Sequence, residues 1–152
     1  IESKLPLTQV PYRGAVPGIA DLVAGQIPVM FTTTGDLLPH YKAGKLRLLA
    51  TSAPQRTVFT PDVPTFAEQG FPMLSSAEWF GFYAPANTPA VIVRSANEAL
   101  RVALKDEAVV SSLATMGLTA TPSSPEEMLA SQRANSERWA PLIKKIGFTA
   151  ES

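Results

Sequence analysis

The sequence predicts an α/β protein of two lobes, each with a mostly parallel sheet flanked by helices and each incomplete. Three observations lead there. Short apolar stretches alternate with helical ones over residues 7–50, prolines crowd residues 52–72, and residues 77–152 are mostly helical with one strand-like stretch. One lobe portion is therefore expected at 1–76 and the other at 77–152.

Residues 7–10 form a β-prone run that stops at Pro11, and Gly14 to Pro17 lead into an apolar stretch at 19–24. This reads as strand, turn and helix, with Pro17 near the first helical position and Gly25 as the stop. A second strand is expected at 29–31, followed by Thr32-Thr33-Thr34-Gly35 and a helix bearing Leu37, Leu38 and Tyr41 that ends at Gly44. Residues 46–50 make a third apolar strand. Strands separated by helical crossovers are the pattern of a parallel sheet.

Pro54, Pro61, Pro64 and Pro72 mark a connector, interrupted by one short helix at 65–69 before Gly70. Residues 78–83 are an aromatic strand in which Trp79 reads as core. Thr88 and Pro89 then supply a cap and first-turn proline for a helix to about Lys105, with Ile92, Ala96, Leu100 and Ala103 on its buried face. A further helix is expected from Glu107 to Met116, closed by Gly117. Ser124-Pro125-Glu126-Glu127 is a capping box opening a long helix. Met128, Asn135, Trp139, Leu142, Ile143 and Ile146 recur on it at helical spacing as one docking stripe, and Gly147 ends it. A single strand in this second part cannot make a sheet alone, so the chain reads as part of a longer protein.

Composition excludes several classes. Thirteen basic and thirteen acidic residues cancel, and no stretch of five or six like charges occurs, so the footprint of a nucleic-acid or membrane-surface binder is missing. Without cysteine there is no disulfide, thiolate catalysis or cysteine-bound metal. The single histidine, His40, lies within a helix and reads as a surface or partly buried residue, and no nucleophile motif or nucleotide-binding glycine loop is present. Asp106-Glu107 and Glu126-Glu127 sit at helix ends, where dipole pairing accounts for them. Neither catalysis, a metal nor a cofactor is expected.

Two strand-to-helix turns of small and hydroxylated residues remain, Gly14-Ala15-Val16 and Thr32-Thr33-Thr34-Gly35, with Arg13 beside the first. Free amides at a helix start carry partial positive charge, and a parallel sheet presents such turns together, so they are candidate anion sites. By spacing alone the same residues also fit a plain turn, a solvated charge and ordinary caps.

The string Val10-Pro11-Tyr12-Arg13-Gly14, then Asp21-Leu22-Val23-Ala24-Gly25-Gln26 and Leu38-Pro39-His40-Tyr41-Lys42-Ala43-Gly44-Lys45-Leu46-Arg47, resembles the Bug family of tripartite tricarboxylate transporter receptors. Residues 61–70, 79–86 and 88–89 match that family's connector, return strand and helix start, so the likeness covers essentially the whole chain. The resemblance implies a type II periplasmic binding protein that holds a small carboxylate between its lobes and delivers it to a membrane permease, and it implies no enzyme. It makes 1–76 part of the second, carboxyl-side lobe, and 77–152 the returning strand and helices of the first. Members are exported, so the periplasm is the implied location. The family's carboxylate contact falls on Arg13, Gly14, Ala15 and Val16, with Thr32 and Thr33 at the neighbouring turn. Pro28 and Thr32 stand where the family commonly has aspartates, which leaves the particular carboxylate open. The alternative on a similar fold is the effector-binding domain of a LysR-type transcription regulator. Uncovered apolar faces lead to the further expectation that this chain by itself self-associates or swaps, and binds ligand weakly.

Overall fold

The computed structural model describes residues 6–149, and residues 1–5 and 150–152 lie outside the described residues. Among the described residues five helices form: α1 (Ala15–Val23), α2 (Thr34–Lys42), α3 (Ala90–Ala103), α4 (Glu107–Thr115) and α5 (Pro125–Ile146), with a 3-10 turn at Pro72–Leu74. The chain divides into two compact units. One holds the residues up to Ala77 together with Ala114–Leu118, and the other holds Glu78–Leu113 and the residues from Thr119 onward.

In the first unit α1 and α2 end where the sequence places their stops. Gly25, at φ 75°, donates to the Leu22 carbonyl at 3.2 Å while Gln26 donates to that of Asp21 at 2.8 Å. A left-handed residue after the last turn lets two orphan carbonyls find donors, and glycine takes that conformation without a Cβ penalty. Gly44 and Lys45 close α2 in the same way on Tyr41 and His40.

The strands differ from expectation. Residues 7–10, 29–31, 46–50 and 78–83 form no ladder, and the β contact among the described residues is an isolated parallel bridge between Thr51 and Thr65. A strand exists only through its neighbours, and stretches of three to six residues with apolar content alone do not bring backbone donors and acceptors into register.

The proline-rich segment is no bare connector. It supplies Thr60, Val63 and Thr65 to the core of the first unit, alongside Thr51 just before it and Ile19, Leu37 and Leu38. Its prolines fix the chain locally while side chains satisfy the backbone. The Thr65 N–H donates to Glu68 Oε2 at 2.7 Å, the Glu68 N–H returns to Thr65 Oγ1 at 3.1 Å, and Arg56 Nε pairs with Glu68 at 2.9 Å. The Thr65 amide, with help from the Arg56 guanidinium, holds the Glu68 carboxyl below its usual pKa. The short helix expected at 65–69 is a single hydrogen-bonded turn, closed from Phe71 to the Phe66 carbonyl at 2.9 Å. Pro64 before it and Gly70 at φ 89° after it leave no room for a second turn.

In the second unit, α5 begins at the expected capping box: Glu127 N–H donates to Ser124 Oγ at 3.1 Å and Ser124 N–H to Glu127 Oε2 at 2.7 Å. Asp106 caps α4 by accepting from Ala108 and Val109. Four expectations fail here. Pro89, at ψ 137°, is itself the cap of α3 while the Thr88 N–H turns back to the Pro85 carbonyl, because a residue before proline is kept out of the helical region. The inward stripe of α3 is Val93, Asn97, Leu100 and Leu104 rather than the one through Ile92, which is 55% exposed. Asn97 sets that rotation by donating to the Ser123 carbonyl at 2.8 Å. On α5, Met128 and Asn135 are half-buried but Trp139, Leu142, Ile143 and Ile146 are exposed, and Trp79 is also no core residue. Amphipathic spacing marks a face able to dock, and the described residues supply nothing to cover its second half.

Candidate functional site

Two turns open onto the start of a helix in the first unit, and they differ in chemistry. At the first, Gly14 caps α1 with φ 90° and ψ 174°, a region open essentially to glycine alone. Its own N–H is spent on the Tyr12 carbonyl at 3.0 Å. Pro17 has no N–H, so Ala15 and Val16 carry the amides of the first turn that no described group accepts. No side chain caps this helix and no acid lies in its first turn, so its positive end is uncompensated. Arg13 is exposed beside it and pairs with no described carboxylate.

At the second turn a carboxylate stands near the positive end, though no side chain bonds its amides. Thr33 caps α2, and Asp36 stands in its first turn. Thr33 Oγ1 donates to Asp36 Oδ2 at 2.7 Å, and Thr32 Oγ1 does so at 3.3 Å. Both predicted hydroxyls are thus engaged by a carboxylate of the same turn, and the added negative charge disfavours an anion there. By spacing alone the two turns look alike; Asp36 gives the second a negative charge that the first lacks.

A groove of about 480 Å³ runs along α1, lined by Ala15, Val16, Ile19 and Val23 on one side and by Asp36, His40 and Lys45 on the other. It is open-sided, so a small ligand in it stays largely in water. Asp36, His40 and Lys45 were not singled out as site residues from the sequence. The signal for two of them was present, since Asp36 and His40 are four apart on one helix and therefore share a face.

Tyr12 fixes the approach to the first turn. Its hydroxyl donates to Asp21 Oδ2 at 2.8 Å, a bond that raises the phenol pKa above its ordinary value, with partial desolvation and the Asp21 charge acting in the same direction. Gly18 makes room for the ring: a Cβ there would stand 3.2 Å from Tyr12 Cδ2 and 2.8 Å from the Met30 methyl. Among the described residues no group of three or more metal-ligating acids or histidines gathers, and no helix is long and apolar enough to cross a membrane.

Comparison with known proteins connects this geometry to one group. The family model described as "Tripartite tricarboxylate transporter family receptor" matches residues 2–148. Protein BugT of Bordetella pertussis is 30% identical over 93% of this chain and 43% of its own length. A solved structure of a periplasmic transporter superposes with TM-score 0.80 at 38% identity, over 90% of this chain and 45% of that one. The R. palustris protein Rpa4515, solved with adipate, gives TM-score 0.77 at 31% identity over 91% and 46%. The chain spans less than half the length of these relatives. Their likeness establishes its fold as part of a type II periplasmic binding protein, in agreement with the α/β class read from the sequence.

Proposed function

Because the chain belongs to the tripartite tricarboxylate transporter receptor family, we propose that it is part of an extracytoplasmic receptor that captures a small carboxylate and presents it to a membrane permease. One carboxylate end rests on the Ala15 and Val16 amides with Arg13 beside it. The observation that carries this is the contrast in charge between the two turns: neither cap side chain bonds an amide, but α1 has no acid in its first turn, whereas Asp36 places a carboxylate in that of α2. The adipate bound by the R. palustris relative supports a dicarboxylate as the ligand class. In this reading residues 1–76 contribute to the second lobe and 77–152 to the first, the protein works in the periplasm, and it catalyses no reaction. Thr32 and Thr33 act through Asp36, shaping the neighbouring turn rather than meeting the anion themselves.

A thermal-shift panel of adipate, citrate and glutamate against a neutral diamide tests the ligand class. Because this chain by itself is expected to bind weakly, the panel is run at tens of millimolar; stabilisation by at least one carboxylate and none by the diamide is expected, and a flat panel at that concentration contradicts the reading. The same reading includes self-association of this chain by itself. Its support is the apolar surface left in water, with Phe31, Phe80 and Phe82 each more than 70% exposed. Light scattering at micromolar concentration should give a mass above the 16.2 kDa of one chain; a stable monomer contradicts it.

A further inference from the structure

The turn that offers the two free amides is held by the residue just before it. Tyr12 makes three separate contacts: its carbonyl accepts the Gly14 N–H at 3.0 Å, its ring lies against the backbone of α1 at Gly18, and its hydroxyl reaches Asp21 at 2.8 Å. Two residues separate Tyr12 from Ala15, a span of at most about 10 Å at full extension, so the anchored tyrosine limits how far the amides can move. Asp21 sits on the helix whose start is the turn itself, so the hydroxyl bond closes a loop of nine residues onto its own helix.

We propose that Tyr12 and Asp21 are positioning residues for carboxylate binding: their hydrogen bond fixes the angle at which Ala15 and Val16 present their amides. The inference rests on the site reading above, and goes beyond it by assigning affinity to a pair that touches no ligand. Loss of the bond frees Tyr12 to swing with its ring still packed, and the turn follows. An asparagine at 21 keeps an oxygen that accepts the hydroxyl; an alanine does not.

The test is an adipate titration of the whole 152-residue chain followed by the amide resonances of Ala15 and Val16, for the parent and for Tyr12→Phe, Asp21→Ala and Asp21→Asn. Tyr12→Phe and Asp21→Ala should raise Kd about five- to twentyfold, while Asp21→Asn stays within about threefold of the parent. Melting temperatures measured on the same samples separate positioning from folding, because a purely structural bond lowers stability and leaves Kd in place. Tyr12→Phe within about twofold of the parent Kd, or Asp21→Asn as weak as Asp21→Ala, overturns the inference alone. No adipate response at Ala15 and Val16 in the parent overturns the site reading and this inference with it.

Discussion

Gly35→Ala will destabilise the first unit by about 2 kcal/mol, although alanine is the better helix former. Gly35 is the second residue of α2, and on propensity alone the substitution would stabilise by at most about 1 kcal/mol. Packing decides the sign. A Cβ on Gly35 runs into the carbonyl oxygen of Met116, and this is backbone, with no flexible side-chain end to move aside. The opposing residue is also glycine: a Cβ on Gly117 would come within 3.0 Å of the Gly35 nitrogen and Cα. Two glycines face each other so that two backbones meet, and overpacking such a contact typically costs about 1–3 kcal/mol or more. For a unit of this size each kcal/mol is worth about 4–8 °C, so the melting temperature should fall by roughly 10 °C. An unchanged melting temperature would show that Met116 and Gly35 are not in contact.

Gly14→Ala acts by a different route. Nothing lies within 4 Å of a Cβ at that position, so there is no clash. The cost is in the backbone, because φ 90° with ψ 174° is a combination that an L side chain resists by about 1–3 kcal/mol. The chain either bears that strain or releases it by rotating the turn, and rotation moves the Ala15 and Val16 amides off the ligand. Carboxylate affinity should therefore fall at least about tenfold, equivalent to about 1.4 kcal/mol. Arg13→Ala provides the contrast, since an exposed, solvent-screened charge is worth about 1 kcal/mol or less. Calorimetry or titration spectra on the two variants should rank Gly14→Ala well below Arg13→Ala; the reverse order would make the site a charge patch rather than an amide cradle.

Helix ends were the most legible feature of the sequence. Gly25, Gly44, Gly117 and Gly147 stop helices as read, and Ser124 with Glu127 makes the reciprocal cap, because each signal is complete within a few residues of chain. Strands were not legible in the same sense: apolar content at 29–31 and 46–50 states a tendency whose outcome depends on a neighbour elsewhere. Facing was equally non-local. Asn97 turns α3 by reaching the Ser123 carbonyl, a partner 26 residues away that no periodicity reports. The prolines at 54, 61 and 64 suggested a linker, yet buried threonines among them make a core, since hydroxyls paired with nearby groups are buried as readily as methyls. At the candidate site, the sequence put Gly14, Ala15 and Val16 forward first and Thr32 and Thr33 beside them as hydroxyls of a neighbouring turn. The difference lies in Asp36, which a helical period brings back onto the start of its own helix.

The central claim is that a carboxylate is met by the Ala15 and Val16 amides at the start of α1. The most direct measurement is the set of backbone amide resonances of this chain during titration with adipate. Ala15 and Val16 should move most and saturate, Thr34 and Gly35 at the start of α2 should move little, and Gly14→Ala should shift the midpoint of the response at least about tenfold. Saturating shifts centred on Thr34 and Gly35, or adipate binding with Ala15 and Val16 unmoved, would contradict it.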